Sequence, residues 1–409
     1  MTIQTASASA GEARALSNSI RTQYVEEYLD AAMTERVYDQ IAQPFPDNSE
    51  MIRGSSIQVE FLSDMAPGVT AISEVADITP QALRDATASL TPTSRGEVLQ
   101  ASELLLIQAF TNYGAARIKK IGKNAMESID LLAQAAANQG THLEAAAVRA
   151  SLDAGTTGHN ADDAIFEKAW IRFLSNKVPD FNQMMNIGAT TFLAITHPAV
   201  YSDIIRTGNV QSIMQYQNAE ILFNHELGAL SAFRLVVSPW AKVFYGAGAD
   251  QGTDVVATSL KAASNALTKT VTLSASTHLD SGLGAWWSVG TEETGNTFFP
   301  QNERVKWVSN TTSIVTFVGE GPNGGFRFDH TTSDLVRNAD SVYTIVYGGP
   351  ESLAKAYAPD VGEFGMLVGP RRHGSLDQFD SLGWKFYGGY GILSDNRVLR
   401  AEVSVRSEA

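Results

Sequence analysis

Apolar and polar positions change period several times along this chain, and each change marks an element. Residues 19–43 place Ile20, Tyr24, Tyr28, Ala31, Ala32 and Ile41 near one face of a helix, which Pro44-Phe45-Pro46 should stop. IQVEFL (57–62) then alternates as a strand does, and Pro67-Gly68 turns the chain. The rest of 54–96 is polar, rich in Thr, Ser and Ala, with Pro80 and Pro92. This predicts a two-stranded excursion that buries too little to stand alone and leans on a partner chain. From Leu99 to Asn138 the period becomes helical, with Ala115, Ile118, Ile121, Ala125, Ile129, Leu132 and Ala136 three or four apart. A helix from Ala115 to Gln139 would run about 37 Å, enough to serve as the backbone of a subunit.

Residues 161–176 read as a second helix, with Asp162 or Asp163 placed to accept first-turn amides. TTFLAITHPAVYSDII (190–205) gives a buried strand, a His-Pro turn and a helix opened by Pro198. FRLVVSP (233–239) and AKVFY (241–245) add strands, in an order unlike the regular alternation of a doubly wound sheet. Residues 252–336 change again: TVTLSA, AWWSVG, RVKWVS, SIVTFVG and GFRFDH are short strand-like runs separated by Gly, Asn and Pro turns. That spacing predicts a small β-sandwich or barrel, inserted into a parent domain whose strands resume at Ser341 with VYTIVYG (342–348). The chain closes on LDQFDSLGWKFYGGYGILSDNRVLRAEVSV (376–405). Here glycines permit close backbone approach, and Trp384, Phe386, Tyr387 and Tyr390 supply apolar area for a sheet to pack on.

Composition narrows the function classes. At 409 residues and 44% hydrophobic content, the chain has material for two or three structural units. No apolar run reaches membrane-spanning length, and the N-terminal stretch lacks the apolar segment of a secretory signal. It reads as a loose arm. The absence of cysteine removes disulfides, zinc-thiolate sites and thiol catalysis, and fits a reducing compartment. A net charge of −14 argues against a large grip on nucleic acid. Lys119, Lys120 and Lys123 read as a solvated helix face.

Candidate chemistry fails motif by motif. GAGADQG (246–252) has the wrong spacing for G-x-G-x-x-G and no Lys-Ser/Thr pair for a phosphate loop. His225-Glu226 lacks the second histidine of a zinc-protease helix. His197 sits before a proline at a strand end and reads as a hydrogen-bonded structural histidine. His330 and His373 fall in polar turns without a nameable partner. No G-x-S-x-G elbow is present. Glu292-Glu293 and Asp162-Asp163 are adjacent pairs whose side chains diverge, so neither can flank a scissile bond. Of Trp286 and Trp287, one could stack on a sugar, but core packing is the favoured reading. Asn310-Thr311-Thr312 matches a glycosylation acceptor that means little without a secretory signal. The expectation is a non-enzyme with no catalytic, cofactor-binding or metal residue.

The order of arm, polar excursion, long helix, mixed domain with insertion and glycine-aromatic end resembles the major capsid protein of tailed bacteriophages with the Hong Kong 97-type fold. It is most like the coliphage N-four-like group. IQVEFL (57–62), FLAITHPAVYSDI (192–204), EILFNHELGALSAFRLVVSP (220–239), SLAKAYAPDVGEFGMLVGP (352–370) and DQFDSLGWKFYGGYGIL (377–393) carry the likeness, and GPNGGFRFDH (321–330) looks like modules inserted in some members. The resemblance implies an α+β fold. Its parts would be an N-terminal arm over 1–52, an extended loop over 53–97 lapping a neighbour, and a peripheral domain with its spine helix over 98–185. An axial domain would cover 186–251, an inserted all-β domain 252–340, and 341–409 would finish the axial domain and return strands to the peripheral one.

It also implies self-assembly into hexamers and pentamers of an icosahedral phage head around double-stranded DNA that is contacted only weakly. Portal, scaffold and a cement or decoration protein would be partners, without a membrane. The protein would reside in the virion and assemble in the bacterial host cytoplasm. Some shells of this fold are locked by a Lys–Asn isopeptide bond from the extended loop. Residues 54–96 hold no lysine, so a shell without that crosslink is expected. An encapsulin-like compartment, or a virion surface protein binding through the β module, are the competing readings.

Overall fold

In a computed structural model of the chain, the described residues are 36–44, 56–62, 68, 85–108, 113–144, 149–152, 161–181, 192–207, 211–212, 226–230, 232–249, 258–274, 286–291, 301–311, 314–321, 324–358 and 362–405. They form two compact units, Met1–Ala133 with Leu353–Leu393, and Gln134–Ser352 with Ser394–Ala409.

The first unit is organised by one strand, Phe379–Ile392. Along one side it pairs antiparallel with Thr93–Ser102; along the other it pairs first with Met366–His373 and then with Leu353–Tyr357. Period-two alternation sends Leu382, Trp384 and Phe386 to one face, where all three are buried. There they meet Ile118, Ile121, Ala125, Met126 and Ile129 of the long helix Tyr113–Ala137. The helical period of three and four thus matches a strand period of two across one seam. Trp384 Nε1 donates to Asn124 Oδ1 at 2.8 Å, so the largest ring in the seam buries no unpaired donor.

Ile57–Leu62 pairs antiparallel with Asp85–Leu90, giving the two-stranded excursion read from the alternation. Helix was expected from Leu99, but the strand continues to Ser102. Ten cross-strand residue pairs with Phe379–Gly388 outweigh the helical propensity of a leucine-rich segment. Only then does a short helix, Glu103–Gln108, begin, with Leu105 N–H donating to Ser102 Oγ at 3.2 Å.

The helix expected over 19–43 fails at its end. Tyr38–Ile41 is one 3-10 turn, and Ala42–Pro44 is a strand pairing parallel to Leu353–Lys355, so Pro44 ends an edge strand rather than a helix. A buried carboxylate explains the switch. Asp130 Oδ1 accepts the main-chain N–H groups of Val37, Tyr38 and Asp39 at 3.0, 2.8 and 3.2 Å. These are the donors a helix start leaves orphaned, and an anion belongs there. Asp39 then accepts from Tyr390 Oη at 2.6 Å and Lys355 Nζ at 3.0 Å, while Glu363 accepts from Lys355 at 2.7 Å and Arg36 at 2.8 Å. Burial lowers the Lys355 pKa, with the Glu363 carboxylate opposing; burial would raise Glu363, but Lys355 and Arg36 together hold it below its usual range. The residues before 36 lie outside the described ones.

The second unit holds an eight-stranded mixed sheet in the order Leu143–Glu144, Val398–Val403, Val342–Gly348, Phe192–Thr196, Phe233–Val237, Glu226–Leu230, Gln211–Ser212, with Val243–Phe244 also on Val342–Gly348. Its centre is buried on both faces, as the unbroken apolar runs require. Helices Asp163–Ser175 and Pro198–Thr207 cover one face, packing Phe166, Phe173 and Ile204 on Phe192, Phe233 and Tyr347. Asp162 does stand at the first helix's N-cap, but its side chain makes no cap bond; its carbonyl accepts Ile165 N–H instead.

Val398–Val403 pairs antiparallel with Val342–Gly348. Helix Asp163–Ser175 spends its apolar face on the eight-stranded sheet. Leu353–Tyr357 and Met366–His373 belong to the sheet packed on the long helix.

Within the second unit, residues 258–337 supply a six-stranded antiparallel sheet, in the order Thr258–Ser259, Leu335–Arg337, Trp286–Gly290, Glu303–Thr311, Ile314–Gly319, Thr270–Thr272. Its two ends meet. Leu260 bridges Leu273, Lys261 N–H donates to Thr272 O at 2.8 Å and Ser274 N–H to Ser259 O at 3.0 Å, closing a barrel. Trp287, Trp307, Phe317 and Phe326 fill it. GFRFDH (325–330), expected as a strand, is a looped segment with one isolated bridge, His330 to Ser264, while Leu335–Arg337 takes the strand position.

Asp130→Ala leaves three buried N–H groups without an acceptor, and we expect a loss of about 3 kcal/mol in urea unfolding of the first unit. A loss below about 0.5 kcal/mol would show that Asp130 does not hold the 36–44 segment.

Candidate functional site

In the first unit the feature that stands out among the described residues is an exposed strand edge with a basic trough beside it. Thr93–Ser102 is hydrogen-bonded along one edge, and among the described residues no strand covers the other. Thr93 through Gln100 are exposed. An uncovered strand of ten residues presents a row of main-chain donors and acceptors, the usual template for another chain.

Next to that edge the sheet carries a trough of about 470 Å³. Its floor is bare because Gly96 and Gly383 lie there without side chains. A Cβ on Gly96 would come within 2.5 Å of Trp384 O, and one on Gly383 within 2.5 Å of Glu97 O. Arg95, Arg371 and Lys385 line the trough together with Ser94, Ser381, Val98 and Val368, and no carboxylate lines it. Three cations around a bare backbone floor favour an acidic, extended segment. Beyond the trough, Leu104, Leu105 and Ile107 of the short helix and Leu376 are exposed apolar side chains. Such clustering on a surface marks contact with another surface.

The residues singled out by sequence fall elsewhere, and among the described residues the structure gathers none of them into a reactive set. His197 is half-buried against Tyr343 at 5.1 Å between ring centres and accepts Ala199 N–H on Nδ1 at 3.1 Å, at the start of helix Pro198–Thr207. Burial first, and the Arg304 charge second, push its pKa down to about 4, so it is neutral. Trp287 packs in the barrel core 4.6 Å from Trp307, while Trp286 faces out under the Arg304 guanidinium, also 4.6 Å away. The adjacent tryptophans therefore divide between core and surface as strand alternation demands. His373 is exposed and stacks on Phe379. Lys119, Lys120 and Lys123 are exposed along the long helix. Gly246 adopts a positive φ of 64° close to Ser288, so the start of GAGADQG is a turn into the barrel segment. Asn310 and Thr311 end a barrel strand. His225, Glu292 and Glu293 lie outside the described residues.

His330, without a nameable partner in sequence, is held in the barrel between Glu303 and Asp334 at 2.7 and 3.0 Å. The arrangement resembles an acid–base set, but all three side chains are buried, so no substrate reaches them. Sequence reasoning also missed Arg95, Arg371 and Lys385. They are far apart in the chain, and only the strand register makes them neighbours.

No protein-family description matches the sequence, and no curated protein matches it. Solved structures do. The capsid of Ralstonia phage GP4 is 10% identical and superposes with a TM-score of 0.56 over 92% of this chain and 91% of that one. The capsid of cyanophage Pam1 gives 10% identity and a TM-score of 0.48, over 90% and 89%. The head of Helicobacter pylori bacteriophage KHP40 gives 9% and 0.47, over 91% and 89%. At such identity it is the fold that is shared, and the first superposition carries it. The chain has an α+β fold of the Hong Kong 97 capsid type.

Proposed function

We propose that this chain is a structural shell subunit, the major capsid protein of a phage head. The observation that carries the reading is the superposition on the GP4 capsid across nine-tenths of both chains. Many copies would close into hexamers and pentamers of an icosahedral shell around double-stranded DNA, in the manner of the N-four-like group. Portal, scaffold and a cement protein would complete the particle, assembled in the host cytoplasm. The first unit would be the peripheral domain, with residues 1–52 as arm and 53–97 as extended loop. The eight-stranded sheet would be the axial domain and 252–340 its inserted module.

The physical case rests on what the first unit leaves unsatisfied. Residues 57–83 contain Glu60, Asp64, Glu74 and Asp77 and no lysine or arginine. The trough carries three cations and no carboxylate. Laying the acidic loop of one copy in the basic trough of the next satisfies both, and the association stabilises each fold by mass action. An overall charge of −14 suits a container that holds DNA without gripping it.

Electron microscopy of the purified protein should show closed angular shells; dispersed oligomers at all protein and salt concentrations would overturn the assignment. Arg371→Glu with Lys385→Glu should cut the sedimenting, assembled fraction at least about tenfold, equivalent to about 1.4 kcal/mol. Unchanged assembly would remove the trough from the interface. Because 54–96 lacks lysine, denaturing gels of mature particles should show monomer alone, and a ladder of covalent multimers would contradict the reading.

A further inference from the structure

The barrel has one end made of two loops rather than strands. Segments 264–268 and 326–330 are joined there by four main-chain hydrogen bonds: Ser264 N–H to His330 O at 2.9 Å, His330 N–H to Ser264 O at 2.8 Å, Leu267 N–H to Phe326 O at 2.8 Å and Phe326 N–H to Thr268 O at 3.0 Å. Phe326 plugs this end, fully buried 4.3 Å from the Phe317 ring.

Two carboxylates tie the plug down. Glu303, buried at a strand start, accepts the N–H groups of Arg327 at 2.9 Å and Phe328 at 3.2 Å as well as His330 Nε2. Asp334 accepts Thr331 N–H and Thr291 Oγ1, each at 3.0 Å, as well as His330 Nδ1. Both imidazole nitrogens therefore face carboxylate oxygens. A neutral ring has one N–H and can satisfy only one of them; the imidazolium satisfies both and balances part of the two buried negative charges.

Among the described residues, the charged groups that act on the ring are Glu303 and Asp334. Segment 264–268 contributes the Ser264 main chain, and residue 326 an aromatic edge 4.6 Å away. The Arg327 guanidinium lies over the Trp240 and Phe328 rings, and Asp329 accepts Ala266 N–H at 2.5 Å.

We propose that His330 is a proton-operated latch on this barrel end, holding the 324–334 plug shut while the ring is doubly protonated and releasing it when one proton leaves. Burial alone would lower the His330 pKa, but the hydrogen bonds and charges of Glu303 and Asp334 raise it above the ordinary 6.5. A raised folded-state value means the latch contributes fully below about 6.5 and is lost as pH rises through the folded value. Alkali, not acid, opens it. The inference does not depend on the shell reading.

Hydrogen exchange of the full chain, corrected for intrinsic rates, tests it between about pH 6 and about pH 9. Protection of 264–268 and 324–334 should fall at least about tenfold as pH rises, while that of 342–348 stays level. His330→Gln should show weak protection of the plug already at low pH and little further change. Asp334→Asn should move the midpoint to lower pH. A flat wild-type profile, a His330→Gln protein that keeps the drop, or an unmoved midpoint in Asp334→Asn would each overturn the latch.

Discussion

The seam between the long helix and the Phe379–Ile392 strand is the contact on which the first unit depends. A helix offers one apolar stripe and a strand one apolar face, and here both stripes are narrow. Ile118, Ile121, Ala125, Met126 and Ile129 meet Leu382, Trp384 and Phe386, with Leu132, Tyr357, Phe364, Leu367 and Tyr390 packed around them at the margin. With the strand's buried face fixed, its register is fixed too, since a one-residue slip would turn Gly383 and Lys385 inward. Register in turn aligns Gly96 with Lys385 and Val98 with Gly383, and so makes the trough. The binding face is thus a consequence of core packing on the opposite side of the same strand.

What the sequence made legible follows from how local each signal is. The long helix, the Phe192–Thr196 strand with the helix opened by Pro198, the Ile57–Leu62 strand and the string of short strands after residue 252 all announce themselves in windows of a few residues. The failures are places where a distant partner decides. Leu99 to Ser102 is leucine-bearing and reads as helix, but the strand opposite it claims its main chain. Residues 38–44 read as the end of an amphipathic helix, but Asp130, about ninety positions on, captures the amides and Leu353–Lys355 captures the strand. Which sheet a strand joins is hidden from sequence for the same reason. Val398–Val403 has the same apolar pattern whichever sheet it joins, and pattern alone does not name its neighbour.

The candidate site shows the same division. Histidines and acidic pairs stand out in a sequence because catalysis favours those residue types, and most of them prove to be structural or solvent-facing. The residues that shape the binding face are glycines, serines and ordinary surface cations, which carry no signal until the register places them together. Glu303, His330 and Asp334 lie between these extremes. Their spacing suggests nothing, yet the fold buries them together, with both His330 nitrogens on carboxylate oxygens.

The closed barrel has a consequence for crowding. In a lattice built from one repeated chain, every surface meets its own copies at very high local concentration. An open six-stranded sheet would then offer two strand edges to each neighbouring copy, inviting runaway polymerisation of sheets. Among the described residues, the bridge from Leu260 to Leu273 joins the two ends of the sheet, which removes the edges through which copies of such a module could fuse. The barrel thus keeps its strands paired to one another, while Thr93–Ser102 in the first unit keeps a long exposed edge.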